Sequence, residues 1–197
     1  DEFNETSYDY RGNPAFSTMI TKVCNFNIRT EFIINVIVKE LKDYPEQQML
    51  VLGQNKSILN YLFTAIEKRN IASVGYYIGG MKESQLKESE DKKIIIATYA
   101  MAAEGLDIKS LSTLVMVTPR TDITQAVGRI LRVEHKRPLI IDFIDTHDIF
   151  KRQWKKRLSF YKKNNYTIQT TDKLNKNKNK NKNKITPKIK NKCLITL

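Results

Sequence analysis

Four short apolar runs constrain the fold of this chain more than any other feature: MLVL (49–52), IIIA (94–97), LVMV (114–117) and LIIDFI (139–144). None alternates apolar with polar residues in the way a half-exposed strand does, so each is expected to be a strand covered on both faces. Between them lie segments with helical periodicity. Residues 29–42 place Phe32, Ile33, Val36, Ile37 and Leu41 on one side. Residues 57–68 do the same with Ile58, Leu59, Leu62, Phe63 and Ile66, and residues 147–163 carry Phe150, Trp154, Leu158 and Tyr161 on a single stripe. Further strands are predicted at 17–23 and 73–78, the second ending at the Gly79-Gly80 turn. Buried strands alternating with amphipathic helices imply an α/β fold, an open and mostly parallel sheet with helices on both faces.

The length of 197 residues, 41% of them hydrophobic, suits one domain with a substantial core. We divide the chain into a polar linker or extension (1–15), a folded domain (16–170) and a Lys/Asn-rich low-complexity tail (171–197). The net charge is +13, but residues 173–192 hold nine lysines and no acid, leaving only +4 for the rest. KNKNKNKNK (176–184) lacks the apolar content needed to offset the entropy of ordering it, so the tail is expected to be disordered. It is either a salt-sensitive electrostatic arm for phosphate backbones or the product of compositional drift. Cys24 and Cys193 are too few and too distant for a disulfide framework or a zinc site, and His135 and His147 have no partners at metal-ligand spacing. With no signal peptide and no apolar run of about 18 residues, an intracellular chain without a membrane partner is expected.

Chemistry concentrates in two segments. QAVGRILR (125–132) places Gln125, Gly128, Arg129 and Arg132 on one arc of a short helix, with Ile123, Val127, Ile130 and Leu131 on the opposite arc. A solvated amphipathic helix has the same pattern. Two guanidinium groups three residues apart can also grip the oxygens of a phosphate held on another surface. Upstream, IIIATYAMAAEGLDI (94–108) puts Thr98 at the carboxyl end of a buried strand, followed by a loop bearing Glu104, Gly105 and Asp107. In open parallel sheets that end is where ligands bind.

In this order, T-x5-E-G-x-D after an apolar strand, a strand ending in Thr118-Pro119, and Q-x-x-G-R-x-x-R resemble motifs V and VI of the superfamily-2 helicases. The resemblance runs more weakly through MLVLGQNKSILNYL (49–62), similar to motif IV, and YYIGGMK (76–82) to PLIIDFID (138–145), and it looks closest to DExH-type helicases of large DNA viruses and phages. No G-x-x-x-x-G-K-[ST] phosphate loop or DExH box occurs, and Asp142 and Asp145 are read as structural. The chain thus resembles only the second RecA-like, C-terminal domain of such an enzyme.

That resemblance implies a division of roles. ATP with Mg2+ would lie on an N-terminal RecA-like domain of the same parent protein, which would also hold the metal ligands. Arg129 and Arg132 would be arginine fingers on the γ-phosphate, with Gln125 coupling nucleotide to the facing domain. Asp107 and Gly105 would lie near the nucleotide, and Gly128 would permit close approach. Thr98 and Glu104 would contact nucleic acid or link the two sites. Gln54, Asn55 and Lys56 at a helix start, and Gly79, Gly80 and Lys82 at a glycine turn, would line the nucleic-acid track. DNA is preferred to RNA as partner, and a viral factory or virion joins cytoplasm and nucleus as a location. The isolated chain would not hydrolyse ATP. The alternative is a helicase-derived, non-catalytic nucleic-acid-binding module.

Overall fold

A computed structural model describes residues 3–130, 133–171 and 192–196. The elements in chain order are α1 (Phe16–Cys24), α2 (Asn27–Asp43), β1 (Gln48–Gly53), α3 (Lys56–Lys68), β2 (Val74–Tyr77), α4 (Glu83–Glu90), β3 (Ile94–Thr98), α5 (Tyr99–Glu104), β4 (Leu111–Met116), α6 (Thr124–Ile130), β5 (Leu139–Phe143), α7 (Asp148–Lys163), β6 (Thr167–Thr171) and β7 (Lys192–Thr196). The sheet order is β2-β3-β1-β4-β5-β7-β6, and every pairing is parallel. This is the open, parallel α/β architecture expected from the alternation of strands and helices, and it fits the RecA-like fold that the resemblance implies.

The central strands are apolar on both sides because both sides are buried. Met49, Val51, Ile94, Ile96, Val115 and Ile141 face one core, shared with α1, α2 and α3. Leu50, Leu52, Ile95, Ala97, Leu114, Met116 and Ile140 face the other, shared with α5, α6 and Tyr161 of α7. Register fixes this segregation, since Leu50 pairs with Ile95 and with Leu114 and so keeps equivalent residues on one face. Parallel pairing also brings the carboxyl ends of β1, β3, β4 and β5 to one rim.

One expected strand is a helix. Residues 17–23 are rich in β-branched side chains, yet Met19, Ile20, Val23 and Cys24 are buried along one side of α1. Their spacing has the helical period, and the Thr21 hydroxyl is absorbed locally by donating to the Ser17 carbonyl at 3.0 Å. Tertiary burial outweighs the strand propensity of Thr and Ile here. The segment after Thr98, expected as a loop, begins with the short helix α5, and α4 occupies the polar stretch after the glycine turn. Most of the tail expected to be disordered lies outside the described residues; Lys192–Thr196 pairs with β5 and β6 as strand β7.

Candidate functional site at the carboxyl edge of the sheet

The expected site residues that the structure describes gather about the rim where the parallel strands end. β1 runs into Gln54, β2 into Gly79 and Gly80, β3 ends at Thr98, and α6 follows the loop after β4. Thr118, just past β4, ties three of these segments together. Its hydroxyl accepts from the Gln54 backbone N–H at 3.0 Å, and its carbonyl accepts from the Tyr99 hydroxyl at 3.0 Å. Burial raises the Tyr99 phenol above its usual range, so at neutral pH it remains a donor in this contact.

Thr98 caps α5, its hydroxyl oxygen accepting from the Met101 N–H at 3.3 Å. That bond uses an oxygen lone pair and leaves the hydroxyl proton available to a ligand. Asn55 caps α3 in the same manner, with Oδ1 accepting from Ser57 N at 2.8 Å and Ile58 N at 3.3 Å. The side chain therefore occupies two of the amides expected to hold a phosphate, while Gln54 and Lys56 on either side are exposed. At the glycine turn Gly80 has φ +89, a conformation that side-chain-bearing residues rarely adopt, and a Cβ on Gly79 would come within 4.0 Å of Met101 Sδ on α5. Lys82 is exposed just beyond, its N–H donating to Gln85 Oε1 at 3.0 Å.

The α6 helix shows the face expected of it. Ala126, Val127 and Ile130 are buried, whereas Gln125 and Gly128 are exposed. Asp122 starts the helix by accepting from Thr124 N at 3.0 Å, and that backbone bond holds its carboxyl below the usual carboxylate range. Arg129 is half-buried and lies across the end of α5, with Nη1 donating to the Leu106 carbonyl at 3.0 Å and Nη2 to the Ala103 carbonyl. It thereby joins α6 to the segment containing Glu104, Gly105 and Asp107, all three of which are exposed. Two of its five N–H groups are engaged in these bonds. Among the described residues a Cβ on Gly128 would meet nothing within 4 Å, so no packing there requires glycine. Arg132 lies outside the described residues.

Two buried ion pairs brace this rim. Arg157 of α7 grips Asp142 through Nε at 2.7 Å and Nη2 at 3.0 Å, and its Nη1 donates to the Arg120 carbonyl at 2.6 Å. Arg29 of α2 grips Asp145 at 2.5 and 2.9 Å and donates to the Val117 carbonyl at 2.9 Å. The two carboxylates thus serve as anchors for arginines that hold the loop after β4. Sequence reading left these arginines out because Arg29 and Asp145 are 116 positions apart and no local periodicity links them. Among the described residues no group of three or more His, Cys, Asp or Glu side chains is arranged to hold a metal ion. Shallow clefts of about 500 and 210 Å³ lie at the opposite, amino rim, lined by residues such as Ser73 and Lys92 or Gln47 and Arg137, and contain none of the expected site residues.

The family model for the helicase conserved C-terminal domain matches residues 31–134, which spans β1 through α6. A "putative ATP-dependent RNA helicase" of Acanthamoeba polyphaga mimivirus is 42% identical over 160 residues, covering 79% of this chain and 31% of that protein. A "putative helicase" of Invertebrate iridescent virus 6 is 24% identical over 175 residues, covering 81% and 39%. The chain therefore spans about a third of the length of these relatives. Among solved structures, T4 UvsW superposes with a TM-score of 0.64 at 16% identity, covering 93% of this chain and 37% of that one. The Pyrococcus furiosus Hef helicase domain gives 0.51 at 17% identity over 66% and 28%. With its motifs at the carboxyl rim of a RecA-like sheet and a family match over more than half its length, the chain belongs to the helicase C-terminal domain family.

Proposed function

We propose that this domain is the second of two RecA-like domains in an ATP-driven nucleic-acid helicase or translocase, donating guanidinium groups to ATP held by the first. The observation that carries the reading is the outward face of α6, where exposed Gln125 and Gly128 flank an arginine already fixed in place by backbone carbonyls. An arginine held by its own domain is pre-organised, so little entropy is lost when its remaining N–H groups meet a phosphate. Open space at Gly128 suits close approach by a second protein surface.

These residues fit half of a nucleotide site. They offer donors for phosphate oxygens, while the triphosphate cradle and the Mg2+ ligands belong to the facing domain. ATP bound there supplies the phosphoanhydride, and Arg129 and Arg132 stabilise the charge that spreads over the transferring phosphoryl oxygens. Asp107 and Gly105 lie toward the nucleotide. Thr98, Glu104, Gln54, Asn55, Lys56, Gly79, Gly80 and Lys82 form the nucleic-acid side, with the Thr98 hydroxyl donating to a backbone phosphate. DNA is the favoured substrate, and opening and closing of the interdomain cleft converts hydrolysis into movement.

The test is nucleic-acid-stimulated ATP hydrolysis. The 197-residue chain alone is expected to show none, and in the intact parent protein Arg129→Ala or Arg132→Ala is expected to lower kcat by at least 10³ with the fold retained. Hydrolysis unchanged by both substitutions, together with loss of nucleic-acid binding on removal of residues 173–197, would instead mean that this domain adds no catalytic group and acts as a nucleic-acid-binding module.

A further inference from the structure

The helix α7 carries a set of cations that the motif-based site does not use. Lys151, Arg152, Lys155, Lys156, Lys162 and Lys163 are all exposed on this 16-residue helix. At about 100° per residue they share an arc of roughly 140°, and at 1.5 Å per residue the stripe is about 18 Å long. Phe150, Arg157 and Tyr161 point the other way, into the protein.

Several cations elsewhere on the surface are paired with acids, while isolated ones such as Lys42, Lys56 and Lys109 are, like most of those on α7, in no ion pair among the described residues. Lys39 pairs with Asp43, Lys87 with Glu83, Lys92 with Glu88 and Arg69 with Glu31. On α7 only Lys151 has a carboxylate nearby, Asp148 at 3.8 Å, and among the described residues no ion pair joins the other five to an acid. Lys151 with Lys155 and Arg152 with Lys156 are like-charge pairs at i,i+4, which weaken an isolated helix. An external polyanion would relieve that repulsion.

The make-up of this face indicates which polyanion. From the middle of α7, Arg157 reaches the Arg120 carbonyl at 2.6 Å, and the Arg120 guanidinium lies 4.7 Å above the ring of Tyr99, the residue after Thr98. Arg157 lies on the side of α7 opposite the stripe, so these contacts fix the buried face of the helix against the loop after β4 and turn the basic face outward. That basic face lacks the apolar border that a membrane-surface helix needs, because Trp154 and Phe160 pack against the core that contains Tyr161. We propose that the exposed basic face of α7 is a second, sequence-blind contact for the phosphate backbone of a nucleic-acid duplex. This inference rests on the reading of the domain as part of a nucleic-acid motor. The stripe is long enough to lie along about five phosphates of one strand.

The experiment measures binding of a fluorescein-labelled 20-base-pair DNA duplex by the full chain, using anisotropy from 50 to 200 mM salt. The test protein is the triple variant Lys151→Gln, Lys155→Gln, Lys162→Gln, and the control is Lys39→Gln, Lys42→Gln, Lys87→Gln on α2 and α4; thermal melting verifies that both remain folded. Each lost phosphate contact should reduce the slope of log K against log salt by about 0.9, so the α7 variant is expected to show a slope lower by about two to three and binding at least about tenfold weaker at 100 mM. The control should match the original protein. An unchanged slope in the α7 variant, or equal losses in both triples, would overturn the inference, as would loss of binding to phosphatidylserine vesicles with duplex binding intact. Normal duplex binding by the α7 variant combined with a loss in Thr98→Val would refute the α7 contact while leaving the proposed function standing; intact binding in both would count against both.

Discussion

Substituting Arg157 by methionine tests whether the buried brace under the rim is as consequential as its geometry implies. Both Arg157 and Asp142 side chains are 2% exposed, and the arginine supplies two bonds to the carboxylate as well as one to the Arg120 carbonyl. Methionine fills much of the space but leaves Asp142 with the Tyr161 hydroxyl at 3.1 Å as its remaining side-chain partner. Breaking one side of a buried pair costs about 3–5 kcal/mol, because the abandoned charge stays out of water. For a domain of this size each kcal/mol lowers Tm by about 2–4 °C, so a drop of roughly 6–20 °C is expected. Burial already pushes the Asp142 carboxyl upward, with Arg157 as the main opposing influence. In the variant the folded-state value is raised further. A group raised on folding is most compatible with the fold when protonated, so the penalty should be greatest near pH 7 and shrink as pH falls toward the unfolded carboxylate value of about 3.9. Urea unfolding at pH 7 and pH 5 measures both effects, with an unchanged m-value required for comparison. Replacing both partners, Asp142→Leu with Arg157→Met, should recover most of the loss. The reasoning fails if the single substitution costs less than about 1 kcal/mol, or if the double variant is no more stable than the single one.

Further expectations concern individual positions. Gly80→Ala should destabilise the chain by about 1–2 kcal/mol in urea unfolding, because Gly80 has φ +89. Gly128→Ala should stabilise α6 by up to about 1 kcal/mol, since a Cβ there meets nothing within 4 Å, yet lower ATP hydrolysis in the intact parent protein. Gains in both properties would argue against a protein surface closing on that position. Burial pushes the Cys24 thiol up to about 11. At pH 8 about a thousandth of it is thiolate, so in a Cys193→Ser background iodoacetamide should label Cys24 only on unfolding.

The four central strands were legible because their residues are buried on both faces, which produces unbroken apolar runs. The helix α1 was not, since its Thr, Ile and Val residues favour strands locally and only docking of Met19, Ile20 and Val23 onto the sheet decides the matter. At six residues, α5 is too short to establish a period, so nothing in the local pattern marks Thr98 as its cap. The strand at Thr167–Thr171 is mostly polar and gave no apolar signal. For the candidate site, the residue types and their order along the chain are explicit in the sequence. The bonds that fix them are not, because Arg129 is held by carbonyls 23 and 26 positions earlier and Thr118 joins segments 64 and 19 positions away. Such contacts arise only once the sheet has assembled.

Donation of guanidinium groups across a domain interface is tested most directly by binding of a phosphoryl-transfer transition-state mimic. In the intact parent protein with nucleic acid bound, the dissociation constants of ADP and of ADP with aluminium fluoride are compared for the original sequence and for Arg132→Ala. If the arginine acts, as proposed, on charge that develops at the transferring group, ADP affinity should stay within about twofold while affinity for the mimic falls by about 10³. Equal affinity of both proteins for the mimic would contradict it.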